Sequence, residues 1–130
     1  MKTALTIEQY ESLVKSGIKN YDVSMYYVSE YKGSEPMLAS KDSGFLIFSN
    51  ANAMFVSDTL TIPELIDILP KTINNAKLSI NTTDNGYNVS YVDIDEKNSK
   101  KSTLSCEENE LIDALYVMLM YLLDKKMINI

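Results

Sequence analysis

The sequence predicts an α+β domain: a mainly antiparallel sheet packed by a long C-terminal helix, with a short N-terminal helix and a short middle helix. Three observations predict it. Leu111, Ile112 and the stretch from Ala114 through Leu123 form an apolar series broken only by Asp113, too long for a strand and apolar on every side, so the helix must be surrounded. Two runs of strand-forming residues flank Asn85-Gly86, the strongest short hairpin signal. Strands and helices do not alternate in the way that builds a parallel sheet.

Leu5-Thr6-Ile7-Glu8-Gln9-Tyr10 carries the chemistry of a helix start, with Thr6 as cap, Gln9 as its reciprocal partner and Leu5 stapling to Tyr10. Ile7, Tyr10, Leu13 and Val14 share a face, and Gly17 followed by Ile18 is a left-handed stop, which places a helix over Ile7–Ser16. Residues 23–31 hold Val23, Tyr26, Tyr27, Val28 and Tyr31 and read as a strand, ended by Lys32-Gly33-Ser34-Glu35-Pro36. Met37–Ser40 is a short return strand. Phe45-Leu46-Ile47-Phe48 and Met54-Phe55-Val56 are brief apolar runs suited to a hairpin or an irregular edge. Leu60-Thr61-Ile62-Pro63-Glu64-Leu65 repeats the capping chemistry, and Pro70 ends that helix near Leu69.

Strands over 77–83 and 87–94 follow. A two-residue loop at Asn85-Gly86 sets Ile80 opposite Tyr91 and Thr82 opposite Val89, so Leu78, Ile80, Val89 and Tyr91 share one face. Ser79, Asn81, Asn88 and Ser90 take the other. Asp93 to Lys101 is a charged loop, and Ser102-Thr103-Leu104 adds a third strand. The last helix is expected over 105–127, opened by a capping box between Ser105 and Glu108. No repeat or linker divides the chain, so residues 1–130 are expected to form one domain.

Composition narrows the chemistry. All 12 basic residues are Lys, and there is no Arg, His or Trp. Arg is the usual bidentate reader of phosphate and guanine, and His the usual neutral-pH base and metal ligand. The net charge of −6 and the absence of a phosphate loop or aromatic RNA-binding motif argue against nucleic acid as partner, despite Lys97, Lys100 and Lys101 in one loop. A single Cys106 excludes an internal disulfide, the N-terminus has no signal-peptide run, and Leu111 to Leu123 spans about 20 Å, too short for a bilayer. A cytoplasmic, non-membrane protein is expected. Lys without Arg, with plentiful Asn, Ile and Tyr, is what A/T-rich codons favour and hints at an A/T-rich bacterium, phage or mobile element, so an accessory protein of a phage or mobile element is one expectation.

Cys106, in the first turn of the expected last helix, has the helix dipole in its favour, but Glu107 and Glu108 oppose it and no His serves as base. Asp93, Asp95 and Glu96 suggest a calcium loop, yet Lys97 and Asn98 stand where that pattern wants an Asp or Asn and a Gly. No catalytic, cofactor-binding or metal-binding residue is therefore assigned. The remaining anomaly is nine Tyr against three Phe. Tyr is enriched at interfaces because its ring packs while its hydroxyl stays wet. With the second face of the last helix, this predicts a homo-oligomeric or protein-binding interface at Tyr26, Tyr27, Tyr31, Tyr116, Met120, Leu123 and Met127. The function expected is a non-enzymatic interaction or assembly module. The alternatives are a small-ligand binder or enzyme whose site forms only in the fold, and an acidic inhibitor that mimics nucleic acid.

Overall fold

The computed structural model describes residues 2–18, 22–41, 52–94 and 100–128. The run at 45–48 lies outside them. The architecture is α+β, with two antiparallel sheets, of three and four strands, and a C-terminal helix against the larger. The chain forms two compact units, residues 4–61 and residues 62–130 with 1–3.

In the first unit, helix α1 spans Ile7–Ser16. Thr6 accepts from the Gln9 amide at 3.2 Å, and the Gln9 side chain accepts from the Thr6 amide at 3.0 Å. The helix stops at Gly17, whose φ of 123° no other residue adopts cheaply, with the Ile18 N–H donating back to the Leu13 carbonyl. Leu13 is buried, whereas Val14 lies at the margin of its expected face and is exposed.

Strands β1 (Met25–Ser29), β2 (Met37–Ser40) and β3 (Met54–Thr59) make the smaller sheet in the order β2-β1-β3. β1 is shorter than the run 23–31. The Tyr31 amide donates to the Ser34 hydroxyl and the Ser34 amide to the Tyr31 carbonyl, closing a turn with Gly33 at φ 89°. Tyr26, Val28 and Ala39 form the buried face, with Ala53 packed on it. The N-terminal segment is tied down at Leu5. Its amide donates to the Leu60 carbonyl, and its own carbonyl accepts from both the Tyr27 and Thr59 hydroxyls, at 2.7 and 2.8 Å.

In the second unit, helix α2 (Ile62–Ile68) precedes β4 (Thr72–Ile73), β5 (Ala76–Thr82), β6 (Tyr87–Ile94), β7 (Lys100–Glu108) and helix α3 (Leu111–Asp124). The four strands run in sequence order, all antiparallel. The hairpin register differs by two residues from the one expected: Leu78 lies opposite Tyr91 and Ile80 opposite Val89. The turn centres on Asp84-Asn85, with the Thr83 amide donating to the Gly86 carbonyl at 2.8 Å. No residue of that turn has positive φ, so it is not the mirror-image turn that Asn-Gly suggests. Gly86 serves a different need: a Cβ there would run into the Glu108 carbonyl oxygen and sit 2.7 Å from the Asn109 Cα. A slip of two residues preserves the faces, so Val89 and Tyr91 are buried as expected, with Leu78 and Ile80 half-buried.

The expected start of the last helix is overturned. Ser105, Cys106, Glu107 and Glu108 are strand, paired with Ser90, Val89, Asn88 and Tyr87. The capping box would satisfy two backbone donors, whereas the ladder pairs the whole segment and lets Ser105 accept from the Asn88 side chain at 2.7 Å. α3 begins after Glu110, which has extended geometry and no side-chain cap. It packs on α2, β6 and β7 and buries Ile112, Ala114, Leu115, Met118, Leu119, Leu122 and Leu123, about half its circumference. Val117 and Tyr121 are exposed, so the helix is not surrounded. Its end is a Schellman motif, with Met127 donating to the Leu122 carbonyl and Lys126 to the Leu123 carbonyl, and Lys126 taking the left-handed position at φ 55°.

Candidate interaction surface

The smaller sheet buries one short row and leaves its flanks open. Val28, in the middle strand, is fully buried between Met37 of β2 and Phe55 of β3, yet those two neighbours are 42% and 55% exposed. Edge strands have one neighbour, so half the packing a central residue receives is missing. The Phe55 ring reaches the Tyr26 ring, centroids 6.0 Å apart and planes tilted by 30°, and its far side faces water. Opposite Tyr27 and Val28 the register shifts, Tyr27 facing Ser57 and Val28 facing Phe55, so Val56 is the extra residue of a bulge and is exposed. Of the ten exposed large apolar side chains among the described residues, Tyr31, Met37, Leu38, Met54, Phe55 and Val56 belong to this sheet and its turn.

The residues that the sequence suggested as an interface differ in exposure. Tyr26 is 3% exposed and belongs to the core of the small sheet. Tyr27, next to it and therefore on the opposite face, is half-buried with its hydroxyl on the Leu5 carbonyl. Tyr31 is the exposed one, at the β1–β2 turn. Tyr116 and Met120 are half-buried on α3, Leu123 is buried on its inner side, and Met127 is exposed just beyond its end. The edge residues Met37, Leu38, Met54, Phe55 and Val56 are absent from the set expected from sequence. The signal for them is the absence of charge: from Met37 to Ser40 there is none, with Glu35 and Lys41 just outside.

Cys106 lies in β7 and not in the first turn of a helix. Its sulfur is 3.1 Å from the Ala114 carbonyl oxygen and 3.6 Å from that of Val89. Burial, and then the nearby Glu108, push its pKa up, which makes it a packed thiol and a poor nucleophile. Tyr91, fully buried in β6, donates to the Pro70 carbonyl at 2.7 Å, and burial raises its pKa to about 12. A neutral phenol held this way braces the chain between α2 and β4. Among the described residues no three His, Cys, Asp or Glu side chains gather as a metal site, while Asp95, Glu96 and Lys97 lie outside those residues. No helix of the described residues is long and apolar enough to cross a membrane.

One cleft of about 260 Å³ lies in the second unit, among Ile73, Asn74, Asn75, Asp93, Leu104 and Met127. That is below the usual range for ligand pockets, about 300 to 1,000 Å³, and among the described residues Asp93 is its one ionisable lining group. No protein-family model, curated protein or solved structure matches the chain. The chemistry of the surface itself is then the guide to function, and an exposed apolar edge binds other backbone and apolar side chains.

Proposed function

We propose that this protein is a non-enzymatic interaction and assembly module whose partner is a second copy of itself. The observation that carries the proposal is the concentration of exposed apolar side chains on the two edges of the small sheet, Met37 and Leu38 on β2 and Met54, Phe55 and Val56 on β3. An isolated exposed leucine is ordinary, but a run of them on edge strands marks a surface that another chain covers. The lack of Arg and His and the packed thiol favour binding over catalysis. A cytoplasmic accessory role in a phage or mobile element fits the codon-like composition of the chain.

The test is the solution mass by light scattering over a wide range of concentrations, at low and at high salt. A mass that rises from one chain to two supports self-association. A mass of one chain at every concentration overturns it.

A further inference from the structure

The geometry points to β2 as the strand that joins two copies, pairing antiparallel with itself about a two-fold axis at Leu38. This rests on the proposed self-association and deepens it by naming its edge and its register.

Among the described residues four strands stand at the edges of the two sheets, three of them blunted, and the stretch of β5 that β4 leaves uncovered, 79–82, is polar but for Ile80. β4 is two residues long. β7 carries Glu107 and Glu108, charges of the kind by which natural sheets keep their edges apart. β3 is bulged at Val56, which breaks the regular spacing of its outward groups. β2 is neither bulged nor charged.

The orientation of its backbone follows from one hydrogen bond. The Lys41 amide donates to the Ser24 carbonyl at 2.9 Å, so Lys41 faces β1. Alternation along an antiparallel pair makes Ala39 and Met37 face β1 as well, and turns the N–H and C=O of Leu38 to the outer edge. Among the described residues no strand pairs with that edge. Two copies placed with Leu38 opposite Leu38 exchange both backbone bonds across the axis, the geometry of a hydrogen-bonded antiparallel pair. Met37 of each copy then lies beside Ala39 of the other, so the exposed Met37 and Leu38 side chains of both copies are covered.

The register sets the charges. With Leu38 opposite Leu38, Glu35 of one copy falls opposite Lys41 of the other, and the symmetry makes the pair twice. These are non-hydrogen-bonded positions, where opposite side chains are closest. Both residues are exposed, and Lys41 already has its own Asp58 at 3.9 Å, so the ammonium would sit between two carboxylates. Pro36, with no N–H to offer, limits how far the ladder runs. The result is one continuous sheet that carries β2, β1 and β3 of each copy.

The experiment compares Glu35→Lys, Lys41→Glu and the double variant by sedimentation across a concentration series, with circular dichroism to check folding. Each single variant sets like charges opposite each other at two places and is expected to raise the dimer dissociation constant about tenfold. The double variant restores opposite charges and the affinity. Mixing the two single variants is the stricter test. In the heterodimer every facing pair is one lysine and one glutamate, whereas each homodimer sets like charges together, so the mixture should associate where neither variant pairs alone. A wild-type dimer that ignores these substitutions, or a mixture that does not associate, overturns the β2 edge and leaves self-association standing. A wild-type monomer at every concentration overturns both.

Discussion

Replacing Tyr91 by phenylalanine removes one hydrogen bond and one ionisable group from the middle of the four-stranded sheet. At neutral pH the loss is the bond to the Pro70 carbonyl, whose oxygen keeps no phenol to accept from, and the expected cost is about 1 to 2 kcal/mol. The pH dependence is the more demanding test. Burial raises the phenol from 10.0 to about 12, so the unfolded chain gives up this proton at lower pH than the folded one. Stability from Tyr91 is thus complete below about pH 10 and falls as the pH rises towards about 12, at up to about 1.4 kcal/mol per pH unit. The wild type should lose about 1.4 kcal/mol relative to Tyr91→Phe by about pH 11, cancelling most of its neutral-pH advantage. Urea unfolding of both proteins from about pH 8 to about pH 11 measures this. All other groups are common to the two proteins and cancel in the difference. A stability gap that stays constant up to about pH 11 would refute the buried, neutral phenol.

Three further substitutions probe the second unit. Leu115→Ala empties a fully buried position of α3 and should cost about 2 to 5 kcal/mol by chemical denaturation; a loss under about 1 would mean that this face is not packed. Gly86→Ala drives a Cβ against the backbone at Glu108, which has no flexible end to yield, and should lower stability by about 1 to 3 kcal/mol, with an unchanged midpoint refuting the close approach. Lys126→Gly relieves a left-handed lysine at the end of α3 and should raise the melting temperature by an amount equal to about 0.5 to 1 kcal/mol; a decrease would show that the lysine side chain contributes more than its backbone costs.

The small-sheet edge that carries the proposed function was only faintly legible in the sequence. Tyr is conspicuous by count, yet a count cannot tell the core position of Tyr26 from the turn position of Tyr31, because that depends on which strands flank β1. Met37 and Leu38 look like any short apolar run until β2 is seen to have, among the described residues, one neighbouring strand.

What the sequence determined alone is what short-range chemistry decides. Thr6, Gln9 and Gly17 set both ends of α1 because each satisfies a backbone group within a turn of itself. Alternation decided that Val89 and Tyr91 face inward, and a slip of two residues could not alter it. Tertiary structure decided whatever depends on a distant partner. Ser105 to Glu108 has the residues of a helix cap, but a ladder to β6 pairs the whole segment and wins. The Asn85-Gly86 signal gave way because Gly86 must admit the backbone of Glu108, which belongs to another strand. The partition of strands into two sheets, and with it the exposed edge of β2, follows from long-range pairing, whose energy is shared between segments and written in neither.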